Sequence, residues 1–176
     1  QLKPIEAVKT LDDLAREVAR QHQGFGHPFF NFSSTQDFKD ATRVIGGLDQ
    51  SGLGLPDRDY YLKTDAKAVE TQKEYLAHIE RMLTLAGLPA AQAKAQAQTA
   101  YNVEKLLATA SMSRTERRDP RKLYHRVELE GTQKLAPRFP WQAYLSHLGV
   151  GGVREINVMV PTFLEGLNKV ISEQPI

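Results

Sequence analysis

The glycine- and proline-rich stretch from Asp49 to Leu62 constrains the fold of this chain more than any other part of its sequence. Because glycine tolerates positive φ angles and close approach of neighbouring groups, this stretch predicts an irregular corner with glycines at positions 46, 47, 52 and 54. Pro56 fixes φ near the helical value, which predicts a short helix over residues 55–62. If Gly54 has a positive φ angle, a β-branched residue there should destabilise the fold.

Two interpretations of the aspartates in this corner are open. Asp49, Asp57 and Asp59 could be ligands in a metal-binding loop, but their spacing matches no calcium-loop pattern and no glutamate closes the loop. Alternatively, the carboxylates stabilise the start of the short helix and pair with cations elsewhere, while residues 60–62 anchor the corner in the core. The sequence favours this second, structural interpretation.

The composition excludes several functional classes. A length of 176 residues with 41% hydrophobic content suits one domain with a sizeable core. The 23 Lys and Arg residues are interspersed with 21 Asp and Glu residues, so no basic stripe is present to bind nucleic acid. Without cysteine there are no disulfides or thiolate sites, and no apolar run approaches the ~20 residues of a membrane span. The chain opens at Gln1 without a signal-like segment, which is typical of a piece of a longer protein.

Three segments have clear helical signals. Thr10 and Asp13 form a capping-box pattern, which begins a helix that should run to about His22. A long helix is predicted from residue 64 or 65 to residue 86, with Gly87 as its C-cap. Its buried side should contain Val69, Gln72, Leu76, Ile79, Met82 and Leu83. An alanine-rich helix then follows Pro89 and runs over residues 90–110, where small side chains favour close packing.

The remaining segments are shorter. Residues 29–34 and 42–45 predict an antiparallel hairpin that leads into the corner, and residues 156–160 predict a further strand. Short helices are predicted at residues 4–8, 132–136, 141–148 and 162–172. Residues 115–126 predict an irregular connection around Pro120. The chain is therefore predicted to be mainly α, a multi-helix domain with a small antiparallel β-hairpin or sheet at one edge, forming a single lobe over residues 1–176.

Two blocks of this sequence resemble a known peptidase family. The run Leu-Gly-Leu-Pro-Asp-Arg-Asp-Tyr-Tyr-Leu at 53–62 resembles a signature of the neprilysin and endothelin-converting-enzyme family of zinc metallopeptidases. The second block resembles the same family in the same order and consists of Ser-Met-Ser-Arg at 111–114, Arg-Asp-Pro at 118–120, Leu-Ala-Pro at 135–137 and Trp141. Two long, rare blocks in the family's order are a specific signal.

The resemblance implies a role for the chain within a larger enzyme. It implies the helical, non-catalytic lobe of a neprilysin-like metalloendopeptidase, which covers the active-site cavity and limits substrates to peptides. The implied partners are peptide substrates and the catalytic lobe of the same polypeptide, which would follow residue 176 and hold zinc. Members of the family are periplasmic, secreted or membrane-anchored with the catalytic portion outside the cytoplasm, so an extracytoplasmic location is expected.

The catalytic zinc motif of that family is absent from this sequence. In the motif H-E-x-x-H, two histidines one helical turn apart bind zinc and the glutamate serves as the base. The five histidines are at positions 22, 27, 78, 125 and 147, and no two of them are four residues apart. We therefore expect no catalytic and no metal-binding residues in this chain, with zinc and proteolysis belonging to the parent protein.

The charged passage at residues 114–121 allows two interpretations. Its arginines could bind an anionic group, such as the C-terminal carboxylate of a peptide, or they could form an ion-pair network that holds the loop, which we favour. Candidate interlobe or structural contacts are Asp57, Arg58, Asp59, Tyr60, Arg114, Arg118 and Asp119. From a different class, the chain could be a free-standing helical module that binds a peptide or protein without catalysis. An H-E-x-x-H motif beyond residue 176 would distinguish the enzyme from the module.

Overall fold

The computed structural model describes residues 3–24 and 26–173, and this part of the chain confirms the mainly α class with a small sheet. The helices are α1 (Lys3–Glu6), α2 (Leu11–His22), α3 (Asp59–Leu62), α4 (Ala66–Leu85), α5 (Ala90–Ala110), α6 (Leu129–Leu135), α7 (Trp141–Leu148) and α8 (Pro161–Glu173). The strands are β1 (Phe30–Asp37), β2 (Asp40–Gln50), β3 (Arg126–Glu128) and β4 (Glu155–Val158).

The four strands form one mixed sheet in the order β1-β2-β4-β3. Strands β1 and β2 form the predicted antiparallel hairpin, in which Phe30 pairs with Gln50. Strand β4 then lies parallel to β2, with Leu48 opposite Val158, and β3 pairs antiparallel with β4. Neither β3 nor the parallel pairing of β2 with β4 was predicted from the sequence. A three-residue strand has no pattern of its own and is formed here by its pairing with β4.

One face of the sheet belongs to the main hydrophobic core. Strand alternation places Phe30, Leu48, Ile156 and Val158 on this face, where none of their surface is exposed. Helix α2 packs against α7, and α5 packs against α8. The core is rich in aromatic rings, and its fully buried aromatic members are Phe30, Phe139, Trp141, Tyr144 and Phe163. Each such side chain contributes about 1.5–3 kcal/mol of burial free energy.

Side-chain hydrogen bonds attach the connection that follows α5 to the sheet. This segment contains two short 3₁₀ turns, Glu116–Arg118 and Pro120–Leu123, in place of regular helix or strand. The buried side chain of Asn157 in β4 accepts a hydrogen bond from the backbone N–H of His125 at 2.7 Å. It also donates to the carbonyl of Leu123 at 2.9 Å. An asparagine inside the sheet thus replaces the regular backbone pairing that the irregular connection lacks.

Helix ends agree closely with the sequence signals. The Asp13 N–H donates to Thr10 Oγ1 at 3.1 Å, and the Thr10 N–H donates to Asp13 Oδ2 at 3.1 Å, so the predicted capping box is present. Asp65 caps α4 by accepting from the Ala68 N–H at 3.1 Å. Gly149 follows α7 with φ 87°, a left-handed conformation that favours glycine.

The predicted burial of one side of α4 is confirmed only in part, because Leu76 and Ile79 are half-buried against a small cluster that includes Tyr61 and Tyr101. No residue of α4 is fully buried, and Val69 and Met82, which were assigned to its buried side, are 49% and 52% exposed. Helical periodicity shows which positions share a face, but it does not show whether another element covers that face. Within the described residues, α4 packs mainly on α3 and α5. No helix in the described ranges is long and apolar enough to cross a membrane.

Candidate functional site

The corner between β2 and α4 departs from its predicted path. Positive φ occurs at Gly52 (81°) and not at Gly54, and α3 begins at Asp59 instead of residue 55. Side chains bind the backbone before α3, since the Leu55 N–H donates to Tyr61 Oη at 2.8 Å. Gly54 is required for a different reason, because a Cβ atom there would lie 1.8 Å from Tyr75 Oη. The corner is therefore defined by side-chain contacts more than by backbone conformation.

The carboxylate of Glu104 in α5 holds this corner against the helical pair α4 and α5. It accepts hydrogen bonds from the hydroxyls of Tyr61 at 2.5 Å and Tyr75 at 3.0 Å, and from the Gly54 N–H at 3.1 Å. Burial, followed by the bond to Glu104, raises the pKa of the Tyr61 hydroxyl, which therefore stays protonated as a donor. Sequence reasoning missed Glu104. The available signal was a carboxylate beside the apolar residues Val103 and Leu106.

Two further contacts attach the corner to the charged connection, by which we mean residues 111–125 between α5 and β3. Arg117 donates two parallel hydrogen bonds to Asp49, at 2.7 and 2.6 Å. This pairing raises the pKa of the Arg117 guanidinium. Gln50 donates to the carbonyl of Met112 at 3.0 Å and accepts from its N–H at 2.7 Å, which reproduces a strand-like pair through a side chain. The end of β2 and the start of the connection are thus fixed together.

The three aspartates of the corner pair with three different basic side chains, as the favoured structural interpretation expected. Asp49 pairs with Arg117, Asp57 pairs with Arg114 Nε at 2.8 Å, and Asp59 lies 3.3 Å from Lys63 Nζ. Asp57 lies two residues before α3 begins, and its side chain also accepts from the N–H of Asp59 at 2.8 Å. Among the described residues, no group of three or more His, Cys, Asp or Glu side chains could hold a metal ion.

The remaining predicted residues differ in their surroundings. Asp119 accepts from the Arg121 N–H at 3.1 Å and pairs with its Nε at 2.9 Å, so it stabilises its own loop. Arg118 is exposed and has no ion pair within the described part of the chain. Tyr60 is 40% exposed, whereas Tyr61 is buried, so the inward position of α3 belongs to Tyr61. The predicted anchoring of Tyr60 in the core is wrong, because consecutive helical residues point in different directions.

A second charged cluster lies at the turn of the hairpin and was not predicted. The buried carboxylate of Asp37 accepts from the Lys39 N–H at 2.9 Å, from Tyr124 Oη at 2.8 Å and from Arg126 at 3.0 Å. The bonds from Lys39 and Tyr124, with the charge of Arg126, lower the pKa of Asp37. Arg126 also approaches Glu155 at 3.5 Å, which links the hairpin to β3 and β4. The polar contacts around Glu104 and those around Asp37 stabilise the fold, and neither set pairs a nucleophile with a base.

Solved structures place this fold within the metalloproteases. The chain aligns with zinc metalloprotease Zmp1 of Mycobacterium tuberculosis, solved in complex with an inhibitor, at a TM-score of 0.89 and 27% sequence identity. The alignment covers 98% of this chain and 27% of that chain. The fold described above is thus the fold of one part of a zinc metalloprotease.

Sequence relatives identify the family. Endothelin-converting enzyme 1 of Cavia porcellus is 36% identical over 121 residues, which cover 68% of this chain and 16% of that protein. Neprilysin-3 of Drosophila melanogaster is 29% identical over 148 residues, or 81% of this chain and 19% of that protein. The model of peptidase family M13 matches residues 1–176. The chain therefore belongs to peptidase family M13 and corresponds to an N-terminal part of such a peptidase. The aligned residues cover less than a fifth of the length of each of these two relatives.

Proposed function

We propose that this chain is the non-catalytic helical lobe of a zinc metalloendopeptidase, where it covers the active-site cavity and restricts substrates to peptides. The observation that carries the proposal is the alignment of almost the whole chain with little more than a quarter of a zinc metalloprotease. The sequence also lacks the H-E-x-x-H pair that such enzymes need. Proteolysis is accordingly a property of the parent protein, which we place outside the cytoplasm.

The residues described here do not fit a zinc site. Zinc requires three or four nitrogen, sulfur or oxygen ligands at about 2.0–2.3 Å, and no such group of side chains is found in the described ranges. His22, which is half-buried, is already bonded to Tyr144 and Pro28. The proposal therefore assigns zinc to the remaining part of the parent polypeptide and derives no catalytic step from this chain.

A lobe without catalytic residues can still control turnover by exclusion and positioning. A covered cavity denies entry to folded proteins and holds short peptides near the metal with much of their association entropy already lost. Contacts between two lobes must form and separate as substrates enter, which suits exposed charges. Arg118 is our first candidate for such a contact, because it is exposed and has no ion pair in the described part of the chain.

Replacing Arg118 in the full-length parent tests this role. Arg118→Ala should change kcat/KM for peptides through lobe closure, by about 1.5-fold to fivefold if one exposed ion pair is lost, and should leave the zinc content intact. Arg121→Ala is the matched control, since Arg121 is also exposed but pairs within its own loop with Asp119. The measurements are kcat/KM for a short and a long peptide, with metal analysis of each variant. Equal values for the parent and Arg118→Ala with both peptides would remove Arg118 from the interlobe contact.

A further inference from the structure

A cavity lies between the corner and the charged connection. Its volume is about 300 Å³, and its lining includes three arginines, Arg58, Arg114 and Arg117, but a single acidic residue, Asp57. Apolar side chains complete the wall, among them Leu53, Leu55, Pro56 and Met112. The cavity thus combines an excess of positive charge with apolar surface.

Two of the three guanidinium groups have carboxylate partners. Arg117 is engaged with Asp49 through two hydrogen bonds. Arg114 is paired with Asp57 at 2.8 Å and also donates to the carbonyl of Pro56 at 3.3 Å. Their charges are compensated within the protein, so neither of them needs an external anion.

Arg58 has no such partner in the described residues. Its guanidinium forms no ion pair or side-chain hydrogen bond there, and its Nε is buried from solvent without an acceptor. Glu116 in the connection is near enough for the charge of Arg58 to help lower its pKa, but it forms no ion pair or hydrogen bond with Arg58, and its Oε2 accepts from the Ser113 N–H at 2.9 Å and from Ser113 Oγ at 2.6 Å. A buried donor on a charged group is costly to leave unpaired, so the missing element at this position is an acceptor.

We propose that this cavity is a binding site for a carboxylate, with Arg58 as its principal ligand. The planar guanidinium binds a carboxylate through Nε and one Nη together, which would supply the acceptor that Nε lacks. The apolar wall suits a carboxylate on an apolar stem, such as the last residue of a peptide or an acidic side chain. The carboxylate comes from a peptide ligand or from the remaining chain of the parent. Both of these sources for the carboxylate rest on the proposed function. The existence of the binding site at Arg58 does not.

Arginine side-chain NMR of the 176-residue chain tests the site directly. Acetyl-leucine supplies a carboxylate on an apolar stem, and acetyl-leucinamide is the matched ligand without the charge. At constant ionic strength, acetyl-leucine should shift the Nε–H resonance of Arg58 and the backbone N–H resonance of Met112 saturably, with a dissociation constant in the millimolar range. The amide should leave both resonances unchanged. No shift with acetyl-leucine, or equal shifts with the acid and the amide, would overturn the proposal.

Variants and the parent protein sharpen the result. Arg58→Gln should weaken binding, followed at Met112, by about tenfold or more, whereas Arg118→Gln removes the same charge from a nearby exposed site and should bind as before. Equal weakening by both variants would show only non-specific attraction and would overturn the site. Acetyl-leucine binding to the full-length parent distinguishes the two sources of the carboxylate. If the parent binds it, the natural ligand is a peptide. If the parent does not, one of its own carboxylates occupies the site. None of these readouts depends on peptide turnover, so they can fail independently of the proposed function.

Discussion

At the scale of single residues, the corner shows how one side chain can decide a backbone path. Glu104 gathers donors from Tyr61, Tyr75 and Gly54, so three separate segments meet at one carboxylate. Hydrogen bonds to a charged acceptor contribute about 1.5–3 kcal/mol each, roughly twice a neutral bond. Tyr75 Oη is therefore held in place, and the space beside Gly54 cannot open without loss of that bond.

The first prediction concerns Gly54. Gly54→Ala should lower the free energy of unfolding by about 1–3 kcal/mol, because the new Cβ would lie 1.8 Å from Tyr75 Oη and 2.8 Å from its Cζ. Urea denaturation measures the loss. Gly152→Ala is the control, since nothing lies within 4 Å of a Cβ there. Equal unfolding midpoints for the two variants would mean that Tyr75 moves freely and that Glu104 does not fix it.

A second prediction follows from the half-buried side chain of His22. Its Nε2 lies 3.2 Å from the carbonyl of Pro28, which can only accept, so Nε2 carries the hydrogen. In the neutral ring, Nδ1 then accepts from Tyr144 Oη at 2.7 Å. Burial lowers the pKa of His22 below its usual value of 6.5, because the charged ring loses its hydration. The folded protein therefore takes up this proton less readily than the unfolded chain does.

The pH dependence of stability should reveal this difference. The contribution of His22 is fully present above pH 6.5 and is lost as the pH falls from there through the lower folded-state pKa. The slope cannot exceed about 1.4 kcal/mol per pH unit for one proton. Urea unfolding at intervals between about pH 5 and 8 measures it. His22→Gln should flatten the profile, and identical profiles for this variant and the unmodified chain would refute the assignment.

At the scale of elements, α5 joins the two hydrophobic clusters found among residues 3–24 and 26–173. Its Leu107 belongs to the main core, and its Tyr101 and Ala108 belong to the smaller cluster with Tyr61. Small residues on α5 bring its neighbours close, as the alanine-rich sequence indicated. A Cβ on Gly166 of α8 would lie only 2.2 Å from the Cβ of Ala110. The contact between these two helices therefore depends on the absence of one methyl group.

This contact provides the third prediction. Gly166→Ala improves helix propensity by about 1 kcal/mol, but the clash with Ala110 should cost more and give a net loss of about 1–2 kcal/mol. The double variant Ala110→Gly with Gly166→Ala should be more stable than the sum of the two single changes predicts. Thermal or urea unfolding of the four proteins completes the cycle. Strict additivity would show that the helices separate without strain.

At the scale of the whole molecule, the described residues leave some apolar side chains on the surface. Leu85 at the end of α4 is 82% exposed and Val44 in the hairpin is 73% exposed. Exposed apolar side chains of this kind would suit the proposed contact with the rest of the parent protein. Within the described part of the chain, the interior is nevertheless well packed, with a core that includes residues from α2, α5, α7, α8 and the sheet.

The fourth prediction is that the 176-residue chain binds no zinc at micromolar concentration and cleaves no peptide. The reason is the spacing of its histidines, which cannot supply two ligands one helical turn apart. Calorimetry with zinc and a quenched-peptide assay are the measurements, with the full-length parent as the positive control. Stoichiometric micromolar binding together with chelator-sensitive cleavage by this chain would overturn the assignment of catalysis to the rest of the parent.

The amino-acid sequence by itself determined the local elements, the family and the fold class. The capping box at Thr10, the alanine helix over residues 90–110 and the helix from Trp141 to Leu148 were all predicted correctly, because their signals lie within a few neighbouring residues. The tertiary structure alone decided which face of α4 is open, where β3 forms and how the corner is held. Asp49 and Arg117 are separated by 68 positions, and Gly54 and Glu104 by 50. Such pairs leave no periodic trace, since any carboxylate in the sequence could be a partner until the chain has folded.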